Sequence, residues 1–107
     1  MSQLTKTNHQ SILKPYRNSL DTINIKILAL LSERMNICME IAEIKAKKNI
    51  PMMQPQRINS LMNLLQKRSK EFGLRDEYTK ALFHLIIKET CHQENILIEK
   101  LSHNKDE

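Results

Sequence analysis

From Pro15 to Lys48 the sequence carries no glycine and, after its first residue, no proline. Within it the row Leu20, Asn24, Ile27, Leu31, Arg34, Cys38, Ile41 and Lys45 steps by three and four, the spacing of one face of an α-helix. One long helix is therefore expected, with Pro15 tolerated at its start because the first helical N–H groups have no partner inside the helix. At 1.5 Å per residue this helix extends about 50 Å, against a radius of gyration of about 13 Å for a compact domain of this size. A lone small globule cannot cover it, so a partner subunit is expected.

After Lys48 the run Asn49, Ile50, Pro51, Met52, Met53, Gln54 and Pro55 holds two prolines, which exclude helix continuation and favour an extended loop. A second helix is expected from about Gln56, with Ile58, Leu61, Leu64, Leu65 and Phe72 as its apolar positions and Gly73 as a left-handed cap. A third is expected from Asp76, read as its capping residue, to about Leu101. No alternation of period two appears, so the fold class is all-α: three helices, one long, one short and one medium. The chain reads as one domain over residues 1–107, with 1–12 and 102–107 as flexible tails.

Composition narrows the function classes. Charged residues make up 27% and hydrophobic ones 40%, as in soluble globular domains, and no run approaches the roughly 20 apolar residues of a membrane span. Met1 to Gln10 lacks an apolar signal core, so a cytoplasmic protein with no membrane partner is expected. A single glycine, Gly73, leaves no phosphate-cradling loop, and nucleotide enzymes become improbable. His9, His84, His92 and His103 do not combine with Cys38 and Cys91 at ligand spacings, so neither a metal nor another cofactor is expected, nor a disulfide. The net charge of +5 points to an anionic partner without saying whether it is polymer or metabolite.

Placement of the charges decides. Arg34 and Lys45 occupy positions that the periodicity assigns to the inner face of the first helix. In the third helix the row Phe83, Ile87, Thr90, Glu94, Leu97 and Leu101 is apolar at both ends and polar in the middle. Charges buried without a partner cost several kcal/mol, so such residues must meet an opposite charge or a polar cavity. The plain alternative is that Arg34 and Lys45 snorkel outward or pair with Glu33, Glu40 or Glu43. Along the helix Arg34 and Lys45 are roughly 16 Å apart, a span that long side chains can close around a small ligand. Arg17 lies about 25 Å from Arg34 and can join that ligand only from a second chain, packed antiparallel about a twofold axis.

These residues resemble a known family. The pattern Tyr16-Arg17, Leu20, Ile23, Leu30-Leu31-Ser32-Glu33-Arg34-Met35, Ile41-Ala42 and Lys45 is similar to the first helix of the all-helical chorismate mutases. The likeness continues through Pro51, Pro55, Arg57, Gly73-Leu74, Leu82-Phe83 and Ile86-Ile87, and covers about residues 15–101. It implies the type II fold, an intertwined helical homodimer with two shared active sites. Carried over by residue, it implies that Arg17 of the partner subunit, Arg34 and Arg57 hold the substrate carboxylates with help from Thr90, while Lys45 and Glu94 flank the ether oxygen. Catalysis would then rest on Arg34, Lys45 and Glu94.

Three positions depart from the usual pattern. Ile58 and Gln54 stand where acidic residues are typical, both near the ring's C4 substituent, and Glu94 stands where a glutamine is usual, with Gln93 one step off register. To donate a hydrogen bond Glu94 must carry a proton. The segment Pro51-Met52-Met53-Gln54-Pro55 with Arg57, and Glu89-Thr90-Cys91 with Glu94, looks more like the subgroup acting on 4-amino-4-deoxychorismate, which serves aminophenylalanine-containing natural products such as antibiotics. That resemblance implies a Claisen-type isomerase giving 4-amino-4-deoxyprephenate. Chorismate is the second substrate, and the related isochorismate-pyruvate lyase activity the third. The competing class is a DNA-binding helical dimer; against it, no separable recognition helix is visible, and no nucleic-acid partner is expected.

Overall fold

The computed structural model describes the backbone of residues 2–52 and 54–106 and the side chains of residues 9–52 and 54–102. Three helices follow in order, α1 (Ser2–Lys48), α2 (Pro55–Glu71) and α3 (Asp76–Asp106), and no strand occurs among the described residues. The chain is all-α, as expected. None of these helices is long and apolar enough to cross a membrane.

The long helix starts earlier than its sequence suggests, at Ser2 instead of near Pro15. Nothing between Ser2 and Pro15 breaks a helix, and Pro15 removes one N–H bond without ending it. α3 likewise runs past Leu101 to Asp106. The tails expected at 1–12 and 102–107 fall largely on residues whose side chains lie outside those described.

The chain forms two compact units, residues 1–35 and 36–107. The first is a stretch of α1 alone, and most of its described apolar side chains, among them Ile12, Tyr16, Leu20, Ile23, Ile27 and Leu30, are exposed, Met35 being half-buried. The second holds the end of α1 together with α2 and α3, which pack on each other across a short connection. Its inner faces are Cys38, Met39, Ala42, Lys45 and Ala46 on α1, Ile58, Leu61, Met62, Leu65 and Ser69 on α2, and the expected row on α3. Among the described residues Ala42, at 0% exposure, is the only buried apolar side chain. Leu64 and Phe72, two of the apolar positions read for the second helix, are 51% and 76% exposed. Leu64 stands one residue, about 100°, off the inward row, and Phe72 lies beyond the last turn of α2.

Two left-handed residues end the first two helices. Asn49 (φ 55) turns the chain so that the Ile50 amide donates to the Lys45 carbonyl at 2.9 Å. Gly73 (φ 71), as expected, does the same for α2, where the Leu74 amide donates to the Ser69 carbonyl at 2.8 Å. Both close carbonyls that the helix end leaves open. Asp76 does not cap α3 as expected. It is the first helical residue, paired with Lys80 at 3.3 Å, and its Oδ1 is buried without a hydrogen bond. Its contribution is negative charge in the first turn, where the helix dipole favours it.

Candidate active site

The most deeply buried side chains of α3 are polar. Thr79, Thr90 and Glu94 are each 7% exposed, while the apolar members of the same face are only half-buried. Thr90 and Glu94 are one turn apart and so stack on one side of the helix. The Thr90 hydroxyl donates to the Ile86 carbonyl at 2.9 Å. Its single proton is thus engaged within the helix, and a ligand carboxylate at this point would compete for it. Gln93, one step off the register, is turned away: its amide donates to the Glu89 carboxylate at 2.9 Å on the exposed side. Glu94 is therefore the residue that α3 presents inward.

Lys45 is half-buried near the end of α1, and its ammonium donates to the Met52 carbonyl at 3.0 Å. It lines a cleft of about 510 Å³ with Asn49, Ile50, Met52, Ile98 and Leu101. Ile98 and Leu101 continue the face of Glu94 by one and two turns, so Lys45 opens onto the side of α3 from which Glu94 projects.

A second open cleft, sharing Pro51 with the first, gathers Gln54, Pro55, Arg57 and Ser60 at the start of α2. Gln54 precedes the helix in an extended conformation, and its carbonyl accepts from the Arg57 and Ile58 amides at 3.0 and 3.3 Å. Arg57 and Gln54 are exposed, whereas Ile58 turns inward and is half-buried. Among the described residues neither cleft has an aspartate or glutamate in its wall; the charged groups there are Lys45 and Arg57. Both walls thus favour an anion.

The remaining expected residues belong to the first unit. Arg17 is exposed, donates to the Gln10 side chain at 2.9 Å, and shares a shallow cleft with Ser11, Lys14 and Asn18. Arg34 is half-buried on α1. Among the described residues no group of three or more His, Cys, Asp or Glu is placed to hold a metal ion, and Cys38 and Cys91 are not joined in a disulfide.

Comparison with known proteins decides the family. Residues 16–95 match the family model for chorismate mutase type II. The chain belongs to the type II chorismate mutase family. Membership places it among isomerases. Among relatives, it is 27% identical over 93 residues to the 4-amino-4-deoxychorismate mutase of Streptomyces venezuelae, covering 87% of this chain and 90% of that one. It is 30% identical over 94 residues to the chorismate mutase of Methanocaldococcus jannaschii, covering 87% and 95%. It is 33% identical over 91 residues to the bifunctional chorismate mutase/prephenate dehydratase of Buchnera aphidicola, covering 84% of this chain but only 24% of that protein. The chain thus spans about a quarter of the length of its bifunctional relative.

Within this type II family member, two groups escaped the reading of the sequence. The Met52 carbonyl is a backbone group and leaves no trace in residue identity. Asn49 had a usable signal: an asparagine straight after the basic last turn Lys45, Lys47 and Lys48 fits a left-handed helix cap.

Proposed function

We propose that this chain is a cytoplasmic Claisen mutase that converts 4-amino-4-deoxychorismate to 4-amino-4-deoxyprephenate, working as a homodimer with two shared sites. In such a rearrangement the ether C–O bond breaks as a C–C bond forms, with no proton transfer at the rearranging atoms, so neither nucleophile nor metal is required. The protein has to hold a reactive chair conformer and to place donors at the oxygen as negative charge develops. Lys45 is a donor there, and Glu94 flanks the same oxygen. Arg34, Arg57 and Arg17 of the partner subunit hold the two carboxylates, and Thr90 assists by releasing the Ile86 carbonyl.

The dimer is supported by the uncovered apolar side chains of residues 12–30, a contiguous patch of the kind that marks an association surface. A second copy is the occupant, because it brings Arg17 to a site that its own chain cannot supply. The half-buried setting of Arg34 and Lys45 argues against nucleic acid, whose binding needs cations along an outer stripe and weakens steeply with salt.

The observation that carries the substrate is the pair Gln54 and Ile58, neither acidic, taken with the likeness to the Streptomyces venezuelae mutase over 90% of its length. The matching extent of the Methanocaldococcus jannaschii chorismate mutase favours chorismate as the second reading. Supplying 4-amino-4-deoxychorismate, chorismate and isochorismate separately, with product identification, tests both. Highest kcat/KM on the amino compound is expected. Highest efficiency on chorismate would overturn the choice of substrate, pyruvate release from isochorismate would make the chain a lyase, and conversion of none would overturn the activity.

A further inference from the structure

Lys45 closes a ring with the loop that follows it. Its main-chain carbonyl accepts from the Ile50 amide at 2.9 Å, and its ammonium donates to the Met52 carbonyl at 3.0 Å. Both bonds require the chain to reverse immediately after α1, and Asn49 makes that reversal at φ 55. Asparagine is one of the few side chains that tolerate this region.

The consequence falls on the lysine. A four-carbon stem gives a free lysine many rotamers, and a carbonyl at hydrogen-bond distance selects among them. An ammonium has three donors. Met52 takes one and leaves two for an oxygen in the cleft that Lys45, Asn49, Ile50 and Met52 line together.

We propose that Asn49 is a positioning residue for the rearrangement: by holding the loop in its left-handed turn it sets the Met52 carbonyl, which aims the Lys45 ammonium at the ether oxygen. This rests on the reading of Lys45 as a donor to that oxygen. Asn49 lines the same cleft, but the role assigned to it acts through the turn and the Lys45 side chain. Because the lysine's bond strengthens as charge builds on the oxygen, an aiming defect lowers kcat and leaves KM largely unchanged.

The test compares four variants as full chains: Asn49→Val, Asn49→Gly, Lys45→Ala, and Asn49→Val with Lys45→Ala. Valine is strained at positive φ, whereas glycine adopts it freely. Asn49→Val is expected to lower kcat about tenfold with KM within about twofold, and Asn49→Gly to retain kcat within about threefold, at a temperature where circular dichroism shows full helicity. In the Lys45→Ala background, adding Asn49→Val should cost less than about twofold, since the group it aims is already gone. Should Asn49→Val not fold, Asn49→Ala takes its place in both backgrounds. An unchanged kcat, or the same fractional loss with and without Lys45, overturns the proposal while leaving Lys45 at the site. Full activity in Lys45→Ala instead overturns the reading of the site, whatever Asn49→Val does.

Discussion

Gln93 and Glu89 lie one turn apart on α3 and are joined by a 2.9 Å hydrogen bond from amide to carboxylate on the exposed side of the helix. That bond holds the Gln93 amide off the inner face, the Asn95 side chain is exposed, and Glu94, 7% exposed, is the one of the three that faces inward. A carboxyl can donate to an ether oxygen only while protonated. Glu94→Gln, whose amide always carries donors, should therefore retain turnover, whereas Glu94→Ala, which has none, should lower kcat by at least about tenfold. A kcat for Glu94→Ala equal to that of the parent, with chemistry limiting, would remove Glu94 from the role.

Arg17 and Arg34 test the sharing of sites. Either one changed to alanine should lower kcat/KM by at least about a hundredfold while leaving a folded dimer, since a bound carboxylate loses a charge-assisted partner worth roughly 3 kcal/mol or more. Mixing the two inactive chains in equal amounts should restore about a quarter of normal activity, because half the dimers are mixed and each carries one intact site. No recovery despite proven subunit exchange would count against Arg17 acting across the interface.

Gly73 isolates a backbone effect. No atom lies within 4 Å of where a side-chain methyl would sit, so Gly73→Ala meets no clash and only the left-handed φ of 71 is penalised. A loss of about 1–2 kcal/mol is expected. It should appear as a lower denaturant midpoint with unchanged slope and unchanged kcat. Undiminished stability would mean that the turn refolds into another conformation.

Ala42 probes packing. At 0% exposure it has no room for three further carbons, and Ala42→Leu should destabilise the chain by about 1–3 kcal/mol. Ala42→Ser, close in volume, should cost less. Comparing the two by thermal unfolding separates crowding from polarity, and a leucine variant as stable as the parent would show the inner face of α1 to be loosely packed.

Helix order, the proline loop and the cap at Gly73 were legible because each rests on local rules: periodicity, a missing N–H, and the freedom to take positive φ. The polar middle of the α3 face was legible for the same reason, since Thr90 and Glu94 interrupt an otherwise apolar row. What local rules do not carry was missed. The start of α1 at Ser2 leaves no mark, because its first turn has no acidic residue and Pro15 looks like a beginning when it is only a gap in the hydrogen bonding. The exposure of Leu64 and Phe72 was not legible, because hydrophobicity says that a side chain wants cover without saying that its own chain supplies it. The tie between Lys45 and Met52 depends on a carbonyl, and every residue has one.

A helix that leaves Ile12, Tyr16, Leu20 and Ile27 in water gains little from its own packing, and most helical stability in proteins comes from packing. Under the shared-site arrangement, the stretch of α1 from Ile12 to Ile27 holds its form only while another molecule lies against it. Specific activity per chain then acquires a concentration threshold. Diluted below it, the enzyme would lose order at its amino-terminal end and turnover in the same step, so abundance in the cell would act as a switch with no dedicated regulatory site.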